Sequence, residues 1–170
     1  MMIDDIQLRE ARVTDASSIA LIHCQSWQHA FSSFLRDDLL QLYTDVGAIE
    51  KKYHAILNES KNNGTVLSVA GKDAAFAFWG ESRTFQTDRA AEIICIHSLP
   101  QTWGNGYGTI LMNSVLQAIR KHGFADVCLW VFEANQRALS FYESLGFLKT
   151  AHTQLFLENN ELMYLKRLGT

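Results

Sequence analysis

The stretch Pro100-Gln101-Thr102-Trp103-Gly104-Asn105-Gly106-Tyr107-Gly108 decides how the rest of the chain reads. Before it, Ala91 to Leu99 is a β-rich run; after it, Thr109 to His122 carries Ile110, Leu111, Val115, Ala118 and Ile119 on one helical face. A glycine-rich turn therefore joins a strand to a helix. Glycines at alternate positions let the main chain pass close to a bulky anion with its amides turned inward. The helix that follows adds unsatisfied N–H donors and a positive dipole end, so a pyrophosphate is the natural guest. The spacing is GxGxG late in the chain, not an early GxGxxG followed by an acidic residue, which disfavours a dinucleotide fingerprint. By itself such a turn is equally compatible with a purely structural role.

Outward from this turn, the period predicts a strand over Ile3 to Glu10 and a helix over Ile19, Ile22, Cys24, Trp27 and Phe31, with Thr14 or Asp15 as N-cap. Phe34 to Leu57 reads as two shorter helices interrupted at Gly47, closed by the turn Asn62-Asn63-Gly64. Thr65 to Ala70 and Ala74 to Trp79 are strands joined by a hairpin turn at Gly71-Lys72-Asp73. Beyond the helix that Gly123 stops, Asp126 to Phe132 is an apolar central strand, Gln136 to Leu145 a helix ended by Gly146, and Phe147 to Thr153 and Leu162 to Lys166 closing strands. The order β, α, α, β, β, β, α, β, α, β, β implies a mixed sheet with helices on both faces, each β, helix, β crossover demanding parallel neighbours.

A chain of 170 residues has room for one domain, residues 1–170, and its 48% hydrophobic and 19% charged residues describe an ordered globular protein. A net charge of −3 with scattered basic residues argues against nucleic acid as partner. Cys24, Cys95 and Cys128 form no CxxC pair, so neither a disulfide framework nor a metal site is expected. No run approaches a membrane span and the N-terminus is acidic where a signal peptide is basic, so a cytoplasmic location and no membrane partner are expected.

Three blocks carry a resemblance. Glu92-Ile93-Ile94-Cys95-Ile96-His97-Ser98-Leu99-Pro100 precedes Trp103-Gly104-Asn105-Gly106-Tyr107-Gly108, and Asn135-Gln136-Arg137-Ala138-Leu139-Ser140-Phe141-Tyr142-Glu143-Ser144-Leu145-Gly146-Phe147 follows. Together they resemble the GNAT superfamily of N-acetyltransferases, the last block matching its N-x-x-A-x-x-F-Y-x-x-x-G-F signature. Ile19 to Phe31, with Ser26-Trp27, is similar to the first helix of small bacterial members. Trp103 stands where the family's loop usually begins with Gln or Arg; a loop that works through backbone amides should tolerate it with one side-chain contact changed. The resemblance implies an α/β fold: a central mixed, mostly antiparallel sheet of six to seven strands, helices on both faces, and a splayed parallel strand pair.

It also implies acetyl-CoA as co-substrate, without a metal, and direct transfer to a primary amine. An alkyl ammonium with a pKa near 10.4 must lose a proton first. Glu92, directly or through water, is the candidate base, with His97 second. Tyr142, protonated at neutral pH, is the candidate acid for the departing thiolate. By the same resemblance Asn135 should reach the pantetheine arm, and it also suits an N-cap. A bulge near Ile96 to Ser98 would aim the amides of Ile96 and Ser98 at the thioester oxygen. Trp103, Gly104, Asn105, Gly106, Tyr107, Gly108 and Thr109 make up the diphosphate loop. Trp27, Phe31, Phe34 and Trp79 are candidate acceptor walls, although an aromatic residue in such a position is more often core. The acceptor is expected to be a small amine; the oligomeric state is not fixed by sequence, and a homodimer is compatible with it. Two rivals remain at this point: a CoA-binding regulatory or interaction module without turnover, and a nucleotide-phosphate binder unrelated to acyl transfer.

Overall fold

The structure, a computed structural model, describes residues 5–59, 63–84 and 90–169. Residues 3 and 4 of the first expected strand and Asn62 of the expected turn lie outside them. Seven strands, β1 (Ile6–Glu10), β2 (Asn63–Val69), β3 (Lys72–Glu81), β4 (Ala90–Ser98), β5 (Asp126–Phe132), β6 (Leu148–Phe156) and β7 (Asn159–Arg167), form one sheet in the order β1-β2-β3-β4-β5-β7-β6. Only β4 and β5 pair in parallel. The crossover from β5 to β6 does not make these two strands neighbours, because β7 inserts between them antiparallel to both.

Five helices, α1 (Ala16–Phe31), α2 (Asp37–Tyr43), α3 (Val46–Asn58), α4 (Tyr107–Lys121) and α5 (Gln136–Ser144), cover the sheet. Strand β3 shows how both faces are closed, since Ala74 to Trp79 is buried on each side of the pleat. Phe76 and Phe78 point to α1 and α3, meeting Ile19, Ile49 and Tyr53. Ala75, Ala77 and Trp79 point to α4 and α5, meeting Leu111, Val115 and Tyr142. Small alanines on that side let α4 approach closely, while the phenylalanines fill the other.

Three local expectations shift. Asp15 precedes α1 but makes no side-chain cap bond; its carboxylate instead accepts from Arg9 at 2.6 Å and from the Arg12 amide at 2.7 Å. The hairpin turn between β2 and β3 is Ala70-Gly71, both at positive φ, with Lys72 and Asp73 already in the strand. Asn63 and Gly64 belong to β2, where tertiary packing overrides their turn chemistry: a Cβ on Gly64 would lie 2.5 Å from a ring carbon of Phe78 and 2.8 Å from the Ala11 methyl. Gly64→Ala is therefore expected to destabilise the protein by about 2 kcal/mol in urea unfolding, because Phe78 is locked in the core. An unchanged midpoint would show that the ring can move aside.

Candidate active site

Strands β4 and β5 pair only from Ala90 opposite Asp126 to Ile93 opposite Leu129, and then diverge. The gap opens a cavity of about 700 Å³. Its walls come from β4, the loop after it, α1, α4, α5 and the far ends of β5, β6 and β7.

Strand β4 carries one extra residue. Trp79 of β3 pairs with Ile93 and Phe78 with Cys95, leaving Ile94 as a bulge. The bulge thus lies before the Ile96 to Ser98 stretch where the sequence reading put it. In a regular strand, residues five apart face opposite sides. The added residue brings Glu92 and His97 to the same face, the one covered by α1, and both line the cavity. The amide of Leu99 donates to the Ala74 carbonyl at 2.9 Å, so by alternation the amides of Ile96 and Ser98 point away from β3, into the gap.

After a short helical turn at Pro100–Thr102, the chain reaches Gly106, whose φ of +79° is the left-handed conformation that glycine adopts without strain. Gly106 caps α4 with no side-chain bond, and the first intrahelical bond runs from Ile110 to the Gly106 carbonyl. The amides of Gly108 and Thr109 thus lack acceptors within the helix, and the positive dipole end lies beside the cavity that Gly104, Gly106, Tyr107, Gly108 and Thr109 line. Asn105 turns back, its Nδ2 donating to the Thr102 carbonyl at 3.1 Å. Gly108 lies against α5, where an added Cβ would sit 3.4 Å from the Phe141 ring.

Trp103 acts as a tie. Its Nε1 donates to the Ser98 carbonyl at 3.1 Å, and the Arg137 guanidinium lies over its ring, 3.4 Å from the centroid. The loop is so fastened to both β4 and α5. Burial holds Arg137 below its usual pKa range.

On α5, Asn135 is the N-cap, its Oδ1 accepting from the Ala138 amide at 3.2 Å, and it also lines the cavity. Tyr142 is buried, and burial raises its phenol above the usual value. Its hydroxyl bonds to no described residue, yet no fully buried side-chain polar atom among those residues lacks a partner. The hydroxyl therefore reaches the cavity.

Glu92 is 1% exposed and held by Arg83, accepting from its main-chain amide at 3.1 Å, its Nε at 3.3 Å and its Nη2. A carboxylate has about four lone-pair positions, so roughly one remains. His97 accepts a weak bond at Nε2 from Trp27 Nε1, 3.4 Å away, and its Nδ1 lies 3.4 Å from Ser26 Oγ. Because an indole N–H only donates, Nε2 is the unprotonated nitrogen and His97 is neutral. Burial first, then His23 and Lys52, push its pKa well below 6.5, which makes it a weak base near neutrality.

Trp27 and Phe31 line the cavity. Phe34 stands behind them, 5.5 Å from the rings of Phe31 and Phe132, and is absent from the wall. Trp79 is on the opposite face of the sheet, buried against His122 and Phe124, and cannot touch an acceptor. An aromatic residue on a strand buried on both sides gives no hint of which side it takes.

Sequence reasoning missed a group at the end of the cavity away from the glycine loop. Glu161 of β7, Gln154 of β6 and Arg83 line it together with Tyr43, Trp130 and Phe156. Gln154 Nε2 donates to Glu161 Oε2 at 2.7 Å. Burial raises the Glu161 pKa, while Gln154 and Arg83 oppose the rise. Nothing in the sequence marks Glu161, since its placement depends on the two-residue turn Leu157-Glu158 setting the β6–β7 register. Among the described residues no cluster of His, Cys, Asp or Glu could hold a metal ion, and no helix is long and apolar enough to cross a membrane.

Comparison with known proteins agrees with this architecture. The profile of the Acetyltransferase (GNAT) family matches residues 22–147. The uncharacterized N-acetyltransferase YuaI of Bacillus subtilis is 24% identical over 141 residues, covering 82% of this chain and 78% of that protein. The PaiA N-acetyltransferase of Thermoplasma acidophilum, solved with coenzyme A, superposes with a TM-score of 0.83 at 14% identity, over 96% of this chain and 99% of that one. YncA of Salmonella typhimurium, a putative acetyltransferase solved with acetyl-CoA, gives 0.72 at 20% identity, covering 96% and 94%. With a splayed β4–β5 pair, a glycine-capped helix at its mouth and a profile match across most of its length, the chain belongs to the GNAT family of acetyltransferases.

Proposed function

We propose that the chain transfers the acetyl group of acetyl-CoA directly to the primary amine of a small acceptor. One juxtaposition carries this reading: the start of α4, the outward amides of Ile96 and Ser98, and the Tyr142 hydroxyl all border one cavity. The α4 amides and dipole suit a diphosphate, Gly106 keeping side-chain bulk away from it. The Ile96 and Ser98 amides donate to the thioester oxygen as it gains charge, a fixed arrangement that needs no reorganisation. Glu92, through its remaining lone-pair position or a water, receives the amine proton. Tyr142 delivers its proton to the departing sulfur. Asn135 Nδ2, left over by the cap, is available to a pantetheine carbonyl.

The test is binding followed by turnover. Acetyl-CoA at ten times its dissociation constant should stabilise the protein by about 1.4 kcal/mol in thermal unfolding, whereas NAD and ATP at equal concentration should not match it. Amines added next should release free CoA thiol. Equal stabilisation by ATP would point to a general nucleotide site, and acetyl-CoA binding without thiol release by any amine would leave a binding module.

A further inference from the structure

The end of the cavity remote from the glycine loop holds two carboxylates, Glu92 and Glu161, and they are held differently. Glu92 has Arg83 as a full counterion, engaged through three donors. Glu161 receives only the neutral amide of Gln154 among the described residues. It is half-buried on the cavity wall, where a carboxylate loses hydration, and Arg83 acts on it only from beyond hydrogen-bond reach. Around it the wall is aromatic. Trp27 and Tyr43 stack at 5.4 Å, Phe132 and Phe156 stack at 5.9 Å, and Phe31 and Trp130 complete the surface. Phe132 pairs across strands with Glu161, so the carboxylate rises from the same face as these rings.

Building on the acetyl-transfer reading, we propose that Glu161 receives the ammonium of the acceptor, and that the acceptor is a monocationic amine borne on an apolar, aromatic-sized body. One carboxylate without an ion pair among the described residues calls for one positive charge. A second cation at this end would meet Arg83 and Lys52, which also line the cavity, and would find no further unpaired carboxylate among the described lining residues. The six rings match an apolar body in area, and their faces favour a cation passing toward Glu161. The cost of burial that raises the Glu161 pKa is offset when an ammonium docks beside it. Glu161 is thus a specificity-determining residue for the acceptor.

The probes are 2-phenylethylamine, its uncharged counterpart 2-phenylethanol, and butane-1,4-diamine, titrated at pH 7.5 against the CoA-saturated protein by tryptophan fluorescence, with Trp27 and Trp130 in the wall as reporters. The wild type should bind the amine at least about tenfold more tightly than the alcohol and than the diamine, the size of one charge-assisted hydrogen bond. Glu161→Gln should weaken the amine about tenfold and leave the alcohol unchanged, with Glu161→Asp recovering part of the loss. Equal binding of amine and alcohol by the wild type, tighter binding of the diamine, no binding of the amine, or a Glu161→Gln protein that keeps full amine affinity would each overturn the proposal. The wild-type comparisons decide even should the Gln variant misfold. Selective amine binding without thiol release from acetyl-CoA would sink the transfer reading and keep this one; thiol release with no dependence on Glu161 would do the reverse.

Discussion

Tyr142→Phe is expected to lower the rate of CoA thiol release about a hundredfold while leaving acetyl-CoA affinity within about twofold, measured by single-turnover kinetics and by titration. General acid catalysis is worth about 10² to 10⁴ in rate, and the substitution removes only the proton donor. The ring contacts to Phe141 and Phe147, with centroids 5.4 and 5.9 Å away, survive in phenylalanine, so the fold should hold. Since burial raises the phenol above its usual pKa, wild-type activity should show no loss from ionisation of Tyr142 up to pH 10. A drop of less than threefold would remove Tyr142 from the chemistry, and parallel losses of rate and affinity would make it a packing residue.

The second large effect is on stability. His23 is buried in the cavity wall, its Nε2–H donating to the Tyr43 carbonyl at 3.2 Å and its Nδ1 accepting from the Tyr53 hydroxyl at 2.9 Å. The Tyr43 carbonyl, which only accepts, fixes Nε2 as the protonated nitrogen, and in the neutral ring Nδ1 is then the acceptor. Burial, with Lys52 adding repulsion, pushes its pKa down to about 4. His97 is 5.1 Å away, ring to ring, and is depressed as well. A depressed histidine binds its proton more readily in the unfolded chain, so its contribution is complete above pH 6.5 and is lost as pH falls toward 4. The displacement from 6.5 to about 4 corresponds to about 3 kcal/mol. Urea unfolding should therefore show His23→Gln losing about 3 kcal/mol less than the wild type between pH 7 and pH 4, although starting less stable at pH 7. Parallel pH profiles for the two proteins would show that His23 does not carry the effect.

What could be read in the sequence, and what could not, divides along the range of the interactions concerned. The run from Ala91 through the glycines into Thr109 to His122, and the block Asn135 to Phe147, are governed by neighbours in sequence, and their strand, turn and helix types are all present. Short-range rules failed where a distant ring or charge decided. Gly64 became strand because Phe78 lies across it, and Asp15, although it stands at the N-cap of α1, turns its carboxylate to Arg9 and the Arg12 amide. The family resemblance pointed to the loop and to Tyr142, which are parts of one motif. It could not separate Trp27 from Trp79, because apolar runs buried on both faces hide which face each residue takes. Glu161 was invisible for a related reason: apart from Gln154 across the hairpin, its neighbours in the cavity come from β4 and the segment after β3, far away in the chain.

Strand β4 assigns residues to the cavity by counting, and the unpaired Ile94 sets the count. Gain or loss of a single codon between Glu92 and His97 would send one of the two to the side of α4, even with every chemical group retained. Only changes in even steps would be silent. Along these few positions the gene is bound more tightly by parity of length than by identity of side chain.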